Sequence, residues 1–118
     1  MGSRVDMARE VTRGDVRLFR FPKPDKQRPV LVLTRSSALH FLNRVTVAPI
    51  TTTVRDIPTE VVLDDADGMR ARCAVSLDNV ITVPRAGLGR RLTGLGPKKL
   101  AQVCRALDFA LGCDETAG

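Results

Sequence analysis

Arg28-Pro29-Val30-Leu31-Val32-Leu33 and, after a polar break, Arg44-Val45-Thr46-Val47-Ala48-Pro49-Ile50-Thr51-Thr52-Thr53 decide how the chain folds. Both runs have strand length and are rich in β-branched residues, which favour a pleated, buried surface. Arginine opens the first run and a threonine cluster closes the second. Antiparallel pairing of neighbouring strands brings the start of one beside the end of the other. Arg28 and Thr51 are therefore expected to meet at one rim of a sheet. A forked guanidinium beside hydroxyls suits the capture of a phosphate.

Other runs of similar length flank this pair. Val16–Phe21 follows Arg13-Gly14-Asp15, which reads as a turn entering a strand. Pro22-Lys23-Pro24-Asp25-Lys26-Gln27 is a basic loop leading to Arg28. Ser36–Asn43 holds a helical turn, and Thr59–Leu63 is a short strand behind Pro58. Asp64-Asp65-Ala66-Asp67-Gly68 has some likeness to a calcium loop but lacks its later glutamate, and reads as a solvated turn. Ala71–Val83 is extended apart from a break at Asp78-Asn79, and Leu92–Leu95 gives a last short strand. Pro97 to Leu111 is a helix, with proline at its first position and Gly112 at its stop. Leu100, Val103, Cys104, Leu107, Ala110 and Leu111 form its apolar stripe. Five to seven short strands and one terminal helix imply a small, mostly antiparallel β-barrel with helical additions.

With 118 residues the chain suffices for one domain, taken as residues 9–112. Residues 1–8 read as an expression scar and residues 113–118 as a tail. Trp and Tyr are absent and Phe numbers 4, so the core is aliphatic and a stacked-aromatic RNA platform is hard to build. Net charge is +6. Arginine outnumbers lysine 15 to 4, from phosphate binding or from a GC-rich genome. The excess falls on residues 9–55 and 70–105, while residues 56–67 carry five acids and no base. An anionic partner, nucleic acid before membrane, follows. No apolar run approaches the about 20 residues of a membrane span, and no signal peptide is evident. Cys73, Cys104 and Cys113 match no zinc spacing. Reduced thiols in the cytoplasm are expected, with Cys73 and Cys104 in the core. His40 is the single histidine, so one chain lacks a two-histidine acid–base pair; it reads as a surface residue.

Taken in order, Arg13-Gly14-Asp15-Val16, Arg28–Leu33, Val47–Thr51, Val75-Ser76-Leu77-Asp78-Asn79-Val80, the Leu88–Gly94 stretch and the final helix resemble the MazF/PemK family of growth-inhibiting toxins. Thr51-Thr52-Thr53 looks most like actinobacterial, including mycobacterial, members. The resemblance implies an SH3-like barrel, a homodimer, and sequence-specific, metal-independent cleavage of single-stranded RNA with no cofactor. It also implies a cognate antitoxin with an acidic, disordered tail. Arg28 and Thr51 stand where the family places its catalytic arginine and threonine, with Thr52 as a fallback. Asp78 stands at a functional aspartate of PemK-type members, although Ser76 replaces a neighbouring arginine and the first loop offers Lys23 and Lys26 in place of a histidine. Asp78 is open to a proton-accepting, an Arg28-orienting or a structural role. Lys23, Lys26, Thr52, Arg55 and Asn79 are candidate RNA contacts. Two readings compete with the nuclease: a same-fold gyrase poison of the CcdB kind, and a non-catalytic nucleic-acid-binding barrel.

Overall fold

The runs that begin at Arg28 and Arg44 pair with each other, antiparallel, as expected. A computed structural model describes residues 10–22, 26–39 and 41–112. Lys23, His40, Cys113, the N-terminal scar and the C-terminal tail lie outside the described residues. The strands are β1 (Asp15–Arg20), β2 (Gln27–Val32), β3 (Arg44–Thr51), β4 (Glu60–Leu63), β5 (Cys73–Ser76), β6 (Ile81–Pro84) and β7 (Leu88–Gly94). A short helix α1 (Ser36–Leu39) follows β2, and α2 (Pro97–Leu111) ends the fold. All pairings are antiparallel, in the order β4-β5-β3-β2-β1-β7, with β6 also on β3.

β2 sits mid-sheet because its residues are apolar on both faces. Val30 and Val32 join one cluster with Leu39, Val45, Val47 and Val83. Leu31 and Leu33 join the other, with Ala48, Ile50, Leu63, Val75 and the α2 residues Val103 and Ala106. Alternation along the strand thus supplies two cores from one run. The sheet is not closed into a cylinder, since β4 and β7 do not pair. It curls into a barrel-like form. Thr93 Oγ1 on β7 donates to the Asp67 carbonyl in the β4–β5 turn at 3.0 Å.

Gly14 is the hinge of the entry turn. Its φ of 92° suits glycine, its N–H donates to Val32 O at 2.9 Å and its carbonyl accepts from Leu95 N at 3.0 Å. Beside it the Asp15 carboxylate is buried. It accepts from Thr12 N, Arg17 Nε and Arg91 Nε at 3.0, 3.3 and 3.0 Å. Arg17, also buried, donates onward to the carbonyls of Gly89 and Glu10 at 3.1 and 2.6 Å. This ionic knot ties β1 to β7 and to the segment before it.

The last strand starts earlier than its glycines suggest, at Leu88. Gly89 is there for close approach: a Cβ would stand 3.3 Å from Leu18 O of β1. The break at Asp78-Asn79 is a 3-10 turn, Leu77–Asn79, between β5 and β6. The acidic turn is a capped 3-10 turn in which Asp64 and Asp67 side chains accept backbone N–H groups, Ala66 N at 2.9 Å and Asp64 N at 3.0 Å. Its carboxylates satisfy the turn itself.

The helix begins at Pro97 and stops at Gly112, whose φ of 64° and N–H bond to Asp108 O close it. Its buried stripe differs from the expected one. Val103 and Ala106 are the fully buried residues, while Cys104 is exposed and Leu111 is 65% exposed. Neither expectation about Cys104, as a core residue or as part of the buried stripe, holds. The helix is turned so that Ala106, a small residue fitting close to the sheet, faces inward, and Cys104 meets the Arg13 guanidinium, whose Nη2 donates to Sγ at 3.1 Å. Lysines at a helix N-terminus oppose the dipole. Lys99 is placed there by tertiary contacts, donating to Val62 O at 3.2 Å and pairing with Asp67 at 3.6 Å.

Candidate active site

β2 and β3 pair with Val30 opposite Pro49 and Leu31 opposite Ala48. Continuing that register by two residues sets Arg28 across from Thr51, at the ends of the two strands. Both line a cavity of about 610 Å³. Leu18, Pro29, Ile50 and Leu92 supply its apolar lining, and Arg28, Arg70, Arg90, Thr51 and Thr52 its polar groups. No carboxylate or histidine is among the described residues that line it.

Thr51 is oriented by the end of its own strand. Its Oγ1 accepts the Thr53 N–H at 3.0 Å, which leaves the hydroxyl proton free to donate. Arg28 is exposed at the start of β2 and makes no side-chain hydrogen bond or ion pair among the described residues. A free guanidinium beside a pre-oriented hydroxyl donor is a phosphate receptor.

A larger cavity of about 1410 Å³ touches Arg17, Arg85, Arg90 and Arg91. Most of its cations are spent. Arg17 and Arg91 bind Asp15, and Arg85 donates to Leu39 O. The smaller cavity keeps its arginines available, so it is the better receptor for an anion.

The remaining sequence-predicted residues are distributed as follows. Thr52 lines the cavity beside Thr51. Lys26 is exposed at the β1–β2 connection, next but one to Arg28, with its carbonyl accepting Phe21 N at 3.1 Å. Arg55 is held by the buried Glu60 carboxylate, through its backbone N at 2.9 Å and Nε at 3.0 Å. Asn79 donates to Ser76 Oγ at 2.8 Å. Asp78 does not line the cavity. Thr51 pairs with Ala74, and the chain runs from there away to Asp78, whose Oδ2 accepts Thr59 Oγ1 at 2.5 Å. Arg70 and Arg90 were missed by sequence reasoning. One lies in an irregular turn and the other in a Gly/Arg-rich run, and only long-range pairing brings them to the cavity. Cys73 also lines it, and burial, aided by the charges of Asp67 and Asp64, raises its thiol pKa. The thiol is therefore kept neutral.

The fold is a small antiparallel barrel-like sheet with a guanidinium and a hydroxyl on one cavity at the rim of two paired strands. Residues 12–111 match the family described as PemK-like, MazF-like toxin of type II toxin–antitoxin system, and the chain belongs to that family. It is 43% identical over 90 residues to "Endoribonuclease MazF3" of Mycobacterium tuberculosis, covering 76% of this chain and 87% of that protein. Its fold is similar to that of the solved "Mycobacterium tuberculosis toxin MazF-mt6", with TM-score 0.76, 38% identity and coverage of 83% and 96% of the two chains. It is also similar to an "Endoribonuclease in complex with its cognate antitoxin from Mycobacterial species", with TM-score 0.80, 27% identity and coverage of 88% and 97%.

Proposed function

We propose that the chain is the toxin of a toxin–antitoxin pair, an endoribonuclease that cuts single-stranded RNA at a short sequence without a metal ion and so arrests translation. The observation that carries this reading is the meeting of Arg28 and Thr51 on one cavity with no carboxylate among its described lining residues. RNA contains its own nucleophile. The 2′-hydroxyl attacks the adjacent phosphorus, the bond to the 5′-oxygen breaks, and a 2′,3′-cyclic phosphate and a 5′-hydroxyl end result. Negative charge builds on the phosphate oxygens in between. Arg28 opposes that charge with forked donors and keeps its proton throughout. Thr51 donates its hydroxyl hydrogen to a second oxygen. Asp78 anchors Thr59 and holds the β5–β6 turn within one chain, and Lys26, exposed next but one to Arg28, adds a cation near the cavity.

The active species is a homodimer in the cytoplasm, and the cognate antitoxin silences it by laying an acidic, partly disordered tail over the cationic cavity. Charge complementarity supports that mode, since among the described residues the cavity presents three arginines and no acid. A gyrase poison acting by protein binding has no need of an unpaired guanidinium facing an oriented hydroxyl.

Incubation of the purified chain with mixed-sequence RNA and excess chelator tests the function. Discrete cuts at one short sequence are expected. Intact RNA across a range of salt and pH would leave a binding protein in place of an enzyme. None of the described helices is long and apolar enough to cross a membrane.

A further inference from the structure

Among the described arginines some are held by a protein acceptor and five have none, of which Arg35 and Arg105 lie away from the cavity. Arg17, Arg55, Arg85 and Arg91 each donate to a protein acceptor. Arg28, Arg70 and Arg90 are exposed and make no side-chain hydrogen bond or ion pair among the described residues, yet all three line the same cavity. They come from three separate segments: the start of β2, the turn between β4 and β5, and β7. Gathering unpaired like charges around one concavity costs electrostatic energy, and an anion occupying it removes that cost.

The spacing says which anion. β2 and β7 flank β1 on opposite sides, so the backbones at Arg28 and Arg90 are two strand spacings apart, roughly 10 Å. One phosphate held by the fork of Arg28 leaves Arg90 for another position along a chain. Arg70 approaches from a third segment. Leu18 and Leu92 lie between them and carry no polar group to compete for the backbone. The volume of about 610 Å³ exceeds what a lone phosphate fills.

We propose that Arg70 and Arg90 hold the backbone phosphates neighbouring the one at Arg28, so that the cavity recognises a polyanionic strand of at least three phosphates. This rests on the endoribonuclease reading of the same cavity and assigns it two binding residues. They act on substrate affinity. Arg28 and Thr51 act on the chemical step.

Arg70→Gln and Arg90→Gln, singly and together, test this by two routes. In the first, cleavage of a short mixed-sequence RNA strand is compared with cleavage of a dinucleotide that carries only the scissile phosphate. KM for the strand is expected to rise while its kcat is kept, and the dinucleotide is unaffected. In the second, binding of an all-deoxy strand of the same sequence, which lacks the attacking hydroxyl, is followed by fluorescence anisotropy against salt. The slope of log affinity on log salt is expected to shrink by about 0.7 for each arginine lost. Circular dichroism confirms that each variant is folded. Unchanged slopes with cleavage intact would overturn the assignment and leave the nuclease. Shrinking slopes in a protein that cuts no RNA would support the assignment and remove the nuclease. Equal losses on dinucleotide and strand would move Arg70 and Arg90 into the chemistry and overturn the division of labour. Absence of any binding by the unmodified chain would overturn both.

Discussion

Arg28→Ala lowers kcat for RNA cleavage by about 10²–10³-fold, the loss seen when one preorganised donor to a developing oxyanion is removed. The effect falls on kcat because the charge that Arg28 opposes is greatest in the transition state. Thr51→Ala is milder, about 10–100-fold, since a hydrogen bond to a charged oxygen contributes about 1.5–3 kcal/mol. Arg28→Lys restores the charge without the fork and falls between alanine and the native residue. Thr52→Ala separates the two neighbouring hydroxyls: Thr51 is the one oriented by the Thr53 N–H, so the larger loss belongs to Thr51. Folding is barely touched. Arg28 is exposed and its side chain carries no bond among the described residues, and such positions shift stability by about 0.5 kcal/mol or less. Steady-state kinetics beside urea unfolding separates the two quantities. An Arg28→Ala protein that cuts at the native rate would remove the guanidinium from the chemistry.

The largest effect on stability belongs to Asp15. Its side chain is 6% exposed and that of Arg17 7%. Asp15→Ala leaves Arg17 charged in a buried site without its carboxylate, which costs about 3–5 kcal/mol. Domains of this size hold about 5–15 kcal/mol in total, so a substantial share is lost. Arg91→Ala should cost little, about 0–1 kcal/mol, because Arg91 is 55% exposed and screened by water. The pair Asp15→Leu with Arg17→Met should be more stable than Asp15→Ala alone, since removing both charges spares the penalty of the orphaned one. Urea midpoints at constant slope report these differences. An Asp15→Ala midpoint equal to the native one would show that the knot carries no net stability.

Much of this was legible in the sequence. β2 and β3 announced themselves because Val30–Leu33 and Val45–Ile50 alternate between two apolar cores, and their pairing brought Arg28 to Thr51 as expected. Proline and glycine at its ends fixed the terminal helix. Besides Arg70 and Arg90, three features were not legible, each for a reason of distance. The full length of β7 was hidden by glycines, whose weak strand propensity is outweighed by the need to pass close to Leu18. The rotation of the helix, which exposes Cys104 and buries Ala106, is set by its seating on the sheet and not by its own periodicity. Arg55, a candidate RNA contact by sequence, is held within the fold: Asp56 has a φ of 55°, and Glu60 takes both the backbone and the guanidinium of Arg55. Local patterns name residue types well. Whether a charge is spent or available depends on partners that arrive from elsewhere in the chain.

Assistance by Arg28 and Thr51 to an attack by the RNA's own 2′-hydroxyl is read out by a single-atom change in the substrate. A strand cut by the enzyme in chelator is compared with the same strand carrying one 2′-deoxynucleotide on the 5′ side of the scissile phosphate, with the products read by mass spectrometry. The predicted result is a 2′,3′-cyclic phosphate from the all-RNA strand and loss of that cut from the substituted one. Cutting of the substituted strand at the same bond and rate would contradict the account, because water or another external nucleophile would then be doing the attack.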